Sequence, residues 1–303
     1  MTFFDLQING YAGIDFNSLS LKPEELHYAC ESLKEDGVDK VLLTIITDSV
    51  NRMCSKLKNI TRFLESDTFC QSLIAGFHIE GPFLNEEKGY IGAHPKKHAI
   101  VANNEDMMRI IESSGGLTKL VTLAPERDPN NNVTKLLQNI GVKIAAGHCN
   151  PSMDQLKSSI DSGLDIFTHI GNGCPILLNR HDNIIQRVLS LSDKIWITFI
   201  ADGIHIPFST LKNYLQIIPI SRAIAVTDAI AGAKYGSGEF TLGQKKIKVD
   251  IDGSTIDSKN NNFAGSTLTF PLIKSNLKEH LNLKDNTIDL ITNHNPRKAV
   301  PID

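Results

Sequence analysis

The segment LIAGFHIEGPF, residues 73–83, is an apolar, strand-like run that ends in one carboxylate, Glu80. Three later segments have the same form. They are VKIAAGHCNPS (142–152) with His148, GLDIFTHIGNG (163–173) with His169, and RAIAVTDAIAG (222–232) with Asp228. These side chains are too far apart in sequence to form a local clip, so several strand ends must meet if they act together. A closed parallel barrel does this, because its active site is assembled from loops at the carboxyl ends of the strands.

Apolar runs rich in β-branched residues alternate with helix-like stretches along the chain. The predicted strands are 3–8, 40–46, 73–79, 119–123, 142–146, 164–168, 195–200 and 222–227. The predicted helices are 22–36, 49–65, 104–114, 131–140, 152–162, 181–191 and 207–217. The strands are apolar nearly throughout, as parallel strands covered on both faces should be. We therefore predict one α/β domain over residues 1–303, a (β/α)8 barrel of the TIM type.

Two stretches are too long for the bare repeat. Residues 80–103 form a long loop after the third strand, rich in glycine and proline. Residues 229–262 follow the eighth strand and contain EFTLGQKKIKVDIDG, which alternates like a β-hairpin with its turn near Gly243 and Gln244. Long loops at the catalytic end of a barrel usually build the pocket. Surface excursions without a function are the alternative.

The bulk composition is that of an ordinary globular protein, with 303 residues of which 41% are hydrophobic and 21% charged. A net charge of −3 and a pI of about 6.4 argue against a nucleic-acid-binding surface, which usually carries a basic excess. No apolar stretch approaches the roughly 20 residues of a membrane span. We therefore expect neither a nucleic acid nor a membrane as a partner.

The five cysteines form no CxxC pair, and the first ten residues lack the basic start and apolar core of a secretory signal. An odd number of cysteines without such a signal is typical of reduced thiols, so we expect a cytoplasmic protein. Cys149 and Cys174 lie near the two histidines in sequence and are possible ligands. The favoured interpretation is that both are small buried residues.

Glu80, His148 and His169 offer a mixed carboxylate and imidazole donor set. A catalytic metal site needs about three protein ligands and one open position for water. A buried glutamate is costly unless it is paired or metal-bound, whereas a lone histidine after a strand is usually only a hydrogen-bonded structural group. Their joint occurrence after separate strands favours a metal site. We predict one divalent ion per subunit, Zn²⁺ first, with Fe²⁺, Mn²⁺ or Co²⁺ as alternatives.

Asp228 follows the last predicted barrel strand without an obvious partner in its own segment. As a structural residue it would cap the following segment. As a functional residue it would be the general base that takes a proton from water and returns it to the leaving group. Together with the predicted metal ligands, this placement predicts a metal-dependent hydrolase.

Seven short motifs occur in order along nearly the whole chain. They are Gln7-Ile8-Asn9-Gly10, His78-Ile79-Glu80-Gly81-Pro82, Gly147-His148, Thr168-His169 through Asn172, Ala201-Asp202-Gly203-Ile204-His205, Val226-Thr227-Asp228-Ala229 and Gly265-Ser266-Thr267-Leu268-Thr269. Each motif is weak alone, but the set is specific. By these motifs the chain resembles the N-acetylglucosamine-6-phosphate deacetylases of the amidohydrolase superfamily.

The resemblance implies a role for individual residues. Glu80, His148 and His169 would bind the metal. Asp228 would be the catalytic acid/base, and His94 would be a second catalytic residue that polarises the amide carbonyl. The resemblance further implies that Arg180 and His205 hold the phosphate. The residues that it implies as substrate contacts are Ala93, His94, Asn172, Gly173, Arg180, His205, Phe263, Ala264 and Gly265. Without the resemblance, Arg180 would be read as a solvated cation.

The resemblance also implies that Gln7 and Asn9 lie near the metal. Many members of the superfamily have a His-x-His pair at these positions that helps to bind a second metal. Two neutral amides are poor metal ligands. We therefore predict one tightly bound ion at this centre.

Two features depart from the family pattern. Family members wrap the barrel with a small β-sandwich built from both chain ends, whereas here the first strand starts close to Met1 and the sequence stops soon after residues 295–300. We therefore expect the barrel alone. The segment after His169 is Ile-Gly-Asn-Gly-Cys-Pro instead of the more usual aromatic-Asn-Ala-Met, which leaves the exact N-acyl sugar open.

The resemblance implies a carbon–nitrogen (linear amide) hydrolase that converts N-acetylglucosamine 6-phosphate to glucosamine 6-phosphate and acetate. The expected partner is thus a small phosphorylated amino sugar, and the resemblance also implies a homodimer. Two alternatives stay open. One is an amidohydrolase for another N-acetylated sugar or small amide, and the other is a catalytically silent sugar-binding barrel.

Overall fold

The computed structural model describes residues 1–258 and 262–302. In chain order the strands are β1 (Phe3–Ile8), β2 (Gly10–Tyr11), β3 (Ile14–Asp15), β4 (Val38–Ile46), β5 (Ile74–Glu80), β6 (Thr118–Leu123), β7 (Lys143–Ala146), β8 (Leu164–Phe167), β9 (Trp196–Ile200), β10 (Ala223–Val226), β11 (Gly238–Leu242), β12 (Lys245–Val249) and β13 (Thr255–Asp257).

The helices alternate with the larger strands. They are α1 (Pro23–Glu35), α2 (Val50–Ser66), α3 (Thr68–Leu73), α4 (Asn104–Ser113), α5 (Asn132–Asn139), α6 (Met153–Asp161), α7 (Ile184–Leu189), α8 (Phe208–Ile217), α9 (Phe270–Glu279), α10 (Asp285–Asp289) and α11 (Asn295–Ala299). Among the helices of the described residues, none combines the length and the hydrophobicity that a membrane span requires.

Eight strands form one parallel sheet in the order β1-β4-β5-β6-β7-β8-β9-β10. Its two ends meet through backbone hydrogen bonds, from Asp228 N to the Gln7 carbonyl at 2.9 Å and from Asn9 N to the Ala229 carbonyl at 2.7 Å. The sheet therefore closes into a barrel at the carboxyl ends of its first and last strands. The predicted (β/α)8 barrel is confirmed, and its closure brings the first and last predicted site segments into contact.

The sequence explains why these elements form. Every residue of β1 and of β10 is buried, as expected for barrel strands with one face toward the interior and one beneath helices. On α2 the apolar residues Met53, Leu57, Ile60 and Leu64 lie on one buried face. Ser152 caps α6 in a capping box with Gln155, which fixes where that helix begins.

The predicted hairpin after the last barrel strand is confirmed and continues into a third strand. β11, β12 and β13 form an antiparallel sheet, with the turn at Gly243 and Gln244 between β11 and β12. Gly243 N donates to Asp15 Oδ2 at 2.8 Å, and Gln244 Nε2 donates to Asp48 Oδ1 at 2.8 Å. Lys56 pairs with the same buried Asp48 at 3.0 Å. These polar contacts fix the small sheet to the barrel rim.

Predicted and observed boundaries agree within two residues for the eight barrel strands and within three for the seven predicted helices. The prediction omitted the short α3 and the three helices α9, α10 and α11. Residues 259–261 of the predicted insertion, and residue 303 of the predicted domain, lie outside the described residues.

Candidate metal centre and active site

The four side chains that were predicted to meet all lie at the carboxyl ends of barrel strands. Glu80 is the last residue of β5, and His148, His169 and Asp228 each follow their strand by two residues. All four are buried. The last three have left-handed backbones, with φ of 51°, 34° and 49°. This conformation is uncommon outside glycine, and it clusters at functional sites where the surrounding structure holds it in place.

Glu80 lies between the two predicted imidazole ligands. Its Oε1 is 3.1 Å from His169 Nε2 and 3.4 Å from His148 Nε2. One potential ligand atom from each of the three residues lies within 4.8 Å of the other two. Strand ends that are 68 and 21 residues apart in sequence, from 80 to 148 and from 148 to 169, therefore supply one compact donor set.

The hydrogen bonding of His148 tests whether this donor set fits a metal. Its Nδ1 lies 2.8 Å from the Tyr90 carbonyl, which can only accept, so Nδ1 carries a proton. In the neutral ring the lone pair of Nε2 then faces the Glu80 carboxylate, and two acceptors oppose each other. A cation between them removes the repulsion. A histidine that donates its other N–H to a carbonyl is the usual form of a metal ligand.

Protonation equilibria agree with a cation site. Burial alone would raise the pKa of Glu80, but the neighbouring imidazoles of His148 and His169 hold that pKa well below its ordinary value. Burial would lower the pKa of His169, yet its hydrogen bond to Glu80 raises it. The centre is thus an anionic carboxylate among imidazoles, so the residues present fit a bound divalent ion.

Gln7 and Asn9 use their amide groups as donors to the two carboxylates. Gln7 Nε2 donates to Glu80 Oε1 at 3.1 Å and to Asp228 Oδ1 at 3.2 Å. Asn9 Nδ2 donates to Asp228 Oδ1 at 2.8 Å. Because N–H groups cannot ligate a cation, this arrangement favours a single ion at the centre over a pair.

Asp228 keeps one carboxylate oxygen available for proton transfer. Both amide donors contact Oδ1, and among the described residues Oδ2 accepts no hydrogen bond. Burial, with the nearby charge of Glu80, raises the pKa of Asp228 to about 6. A carboxyl group with a raised pKa and a free oxygen beside a metal site is suited to general acid–base chemistry.

His94 is brought against the same cluster by the long loop after β5. Its Nε2 is 3.3 Å from His148 Nε2 and 3.7 Å from Glu80 Oε2. Burial, followed by the neighbouring His148, lowers the pKa of His94 to about 3, so the ring is neutral at physiological pH. Its buried Nδ1 has no hydrogen-bond partner among the described residues, which leaves a polar atom for a ligand.

The predicted phosphate and sugar contacts fall into two groups. The His205 ring lies against Phe263 in a tilted arrangement, with 4.9 Å between the ring centroids. Its Nδ1 lies 2.6 Å from Asp202 Oδ2, which fixes the orientation of the ring. Ala264 packs with Ala93 in a small apolar cluster beneath the β11–β13 sheet. The next residue, Gly265, lies against the backbone of the predicted base, where an added Cβ would be 2.8 Å from its carbonyl oxygen.

Asn172, Gly173 and Arg180 share the loop after β8 but differ in placement. The buried Asn172 Nδ2 lacks a hydrogen-bond partner among the described residues. Gly173 lies against the ring of His148. Arg180 is exposed and makes no ion pair or hydrogen bond among the described residues, so the structure does not bring it to the cluster.

The His148 ring is confined by glycines. A Cβ added at Gly173 would lie 2.9 Å from His148 Nδ1, and one added at Gly92 would lie 3.0 Å from Cε1. We expect Gly173→Ala to move the ring and weaken metal binding by about 10–100-fold, as losses of supporting contacts around metal ligands do. Gly141→Ala is the matched control, since its φ is +78° with nothing within 4 Å. Metal titration of both variants checks this, and equal affinities would contradict it.

Two groups that orient histidines of the site were not predicted from the sequence. The Tyr90 carbonyl orients His148 through the backbone, and a backbone contact leaves no residue-type signal in the sequence. Asp202 belongs to the motif of residues 201–205, three residues before His205. A carboxylate at that spacing from a histidine could have indicated that it orients the ring.

The chain is similar in sequence to known deacetylases over most of its length. No protein-family model matches the chain. N-acetylglucosamine-6-phosphate deacetylase of Bos taurus is 29% identical over 255 residues, which cover 82% of this chain and 61% of that protein. N-acetylgalactosamine-6-phosphate deacetylase of Shewanella sp. (strain ANA-3) is 28% identical over 268 residues, which cover 88% of this chain and 65% of that protein. The chain thus spans less than two thirds of these relatives.

A solved structure shows the same architecture. The crystal structure of N-acetylglucosamine-6-phosphate deacetylase from Pasteurella multocida has a TM-score of 0.87 and 25% identity, and the match covers all of this chain (100%) and 76% of that one. The likeness in sequence and fold confirms the resemblance that the motifs indicated. In sequence and in fold, this chain is similar to the N-acetylglucosamine-6-phosphate deacetylases.

Proposed function

We propose that this chain is a metal-dependent hydrolase that removes the acetyl group of N-acetylglucosamine 6-phosphate, giving glucosamine 6-phosphate and acetate. The observation that carries the proposal is the closure of Glu80, His148 and His169 within 4.8 Å, with Asp228 linked to Glu80 through the Gln7 amide. The names of the relatives support the substrate class.

Glu80, His148 and His169 would hold one divalent ion, Zn²⁺ first, with Fe²⁺, Mn²⁺ or Co²⁺ as alternatives. When bound, such an ion supplies Lewis acidity that polarises a carbonyl and lowers the pKa of water toward about 7. Gln7 and Asn9 orient the two carboxylates around it. Their donor N–H groups support the expectation of a single ion here.

The chain's own residues would move the protons. Asp228 Oδ2 accepts a proton from the attacking water, since Oδ1 is held by the two amides. The same oxygen then returns the proton to the amine as the C–N bond breaks. The neutral His94 donates a hydrogen bond to the substrate carbonyl oxygen as negative charge develops there.

His205, which is held by Asp202 and lies against the ring of Phe263, would contact the phosphate of the substrate, together with Arg180 from its exposed loop. Asn172, with its unpartnered amide, and Gly173 would contact the sugar. The five cysteines are free, which fits the expected cytoplasmic location. A homodimer stays part of the proposal by family resemblance.

Acetate release on a panel of substrates tests the proposal. We expect hydrolysis of N-acetylglucosamine 6-phosphate, with much slower hydrolysis of unphosphorylated N-acetylglucosamine. The Shewanella relative gives a second candidate, N-acetylgalactosamine 6-phosphate, which differs at one sugar carbon. No acetate release from any member, with metal bound, would favour the silent sugar-binding barrel.

The phosphate contacts have their own test. Loss of one hydrogen bond to a charged group costs about 1.5–3 kcal/mol. We therefore expect His205→Asn, and likewise Arg180→Ala, to lower kcat/KM for the phosphorylated substrate by about 10–100-fold. The exposed His294→Asn serves as control. Rates for the unphosphorylated sugar should not change, and a parallel loss on both substrates would remove these residues from phosphate recognition.

A further inference from the structure

A second cluster of metal-binding side chains lies on the outside of the barrel, between α1 and the junction of α2 with α3. His27 belongs to α1, Asp67 connects α2 to α3, and Cys70 belongs to α3. His27 Nδ1 is 2.6 Å from Asp67 Oδ2. One ligand atom from each of the three residues lies within 4.8 Å of the others. Nitrogen, oxygen and sulfur donors thus converge from two chain segments.

Ordinary structural roles leave part of this cluster unexplained. Asp67 Oδ1 caps α3 by accepting from Cys70 N at 2.9 Å, so Oδ2 is not needed for the cap. Cys70 and Cys30 are both buried residues, with relative exposures of 1% and 0%. The Cys30 thiol lies beside that of Cys70. Two thiols beside an imidazole and a carboxylate are more than a helix cap requires.

Glu31 completes a common arrangement around metal ions. Its Oε1 lies 3.6 Å from His27 Nε2, on the side of the ring away from Asp67. Metal-ligating histidines usually place their second nitrogen against a carboxylate or carbonyl, which orients the ring and increases its basicity. His27 therefore has one nitrogen toward the cluster and a supporting carboxylate on the other.

An ion can reach these atoms. They line a surface cavity of about 570 Å³ with Pro23, Phe63 and Phe69. The His27 side chain is 41% exposed. The cluster is therefore open on the histidine side and closed by buried thiols on the other.

We propose that His27, Asp67 and Cys70 form an exterior binding site for a borderline-soft divalent ion such as Zn²⁺. Thiolate with imidazole is a donor set that favours zinc or cobalt over magnesium and calcium. This ion is additional to the one at the barrel centre, so the expected number rises from one to two per chain. Binding displaces the thiol proton and strengthens as pH rises.

Titration of reduced, metal-free protein with Co²⁺ tests the site, because a thiolate ligand gives a sulfur-to-cobalt charge-transfer band in the near ultraviolet. We expect this band in the wild type and in Glu80→Gln, since the donors at the barrel centre are carboxylate and imidazole. Cys70→Ser and His27→Gln should lose it. Glu31→Gln should keep it with about 10–100-fold weaker affinity.

Cys54→Ser is the matched control, because this thiol lies on α2 outside the cluster and should leave the band unchanged. His27→Gln keeps the core intact since its side chain is half-exposed, and it decides the outcome alone if Cys70→Ser does not fold. The proposal is overturned if the wild type gives no thiolate band, or if the band survives in His27→Gln. Because the readout is spectroscopic, its failure is distinct from failure of the deacetylase assay.

Discussion

Asp228→Asn should lower the rate of acetate release by about 10²–10⁴-fold, the usual contribution of a general acid–base group. The amide cannot accept a proton from water at the position of Oδ2, yet it keeps the size of the side chain. The predicted ligands Glu80, His148 and His169 are untouched, so metal content should not change. Steady-state acetate release together with elemental analysis of the same sample measures both quantities.

Asp193→Asn is the control for this substitution, because Asp193 is exposed and lies outside the site. It should retain the wild-type rate. A rate close to wild type in Asp228→Asn would show that another group is the base. Loss of metal together with loss of rate would instead make Asp228 a ligand.

Glu80→Gln should remove the ion from the barrel centre. The carboxylate contacts both predicted imidazole ligands, and the amide replaces an anionic donor with a neutral one. Losing an outer contact costs 10–100-fold in metal affinity, so loss of this direct ligand should exceed about 100-fold. Glu112→Gln, on the exposed side of α4, is the matched control and should bind normally.

Thermal unfolding measures the same change independently. An ion that binds only the native state stabilises it by about 2.7 kcal/mol at 100 times its Kd. A chelator should therefore lower the Tm of the parent protein and leave that of Glu80→Gln unchanged. The experiment belongs in the Cys70→Ser background, where the proposed exterior site does not contribute. An equal chelator effect in both proteins would contradict the assignment of Glu80.

The barrel could be predicted because its strands are continuous apolar runs, a pattern that buried parallel strands produce. The helix α3 was missed because it has six residues and directly follows α2. The helices α9 to α11 were missed because this part of the chain lacks long amphipathic repeats. A π-helical turn at Leu290–His294 also joins α10 to α11. Tertiary packing, rather than local pattern, fixes such short elements.

The site residues that could be predicted from the sequence are those at or just after the carboxyl ends of the barrel strands. Glu80, His148, His169 and Asp228 were found because the last residues of parallel barrel strands converge. Contacts made by long loops had no such rule. His94 was placed by family resemblance and does reach the cluster. Arg180 lies exposed on its loop, so its contact with the phosphate stays a prediction. Loop position depends on contacts that periodicity does not encode.

Anomalous diffraction at the absorption edge of the bound metal locates the ion itself. We expect a strong peak bounded by a carboxylate oxygen of Glu80 and by Nε2 of His148 and His169, with Asp228 on its open side. A fully loaded crystal without a peak between these three side chains would contradict it.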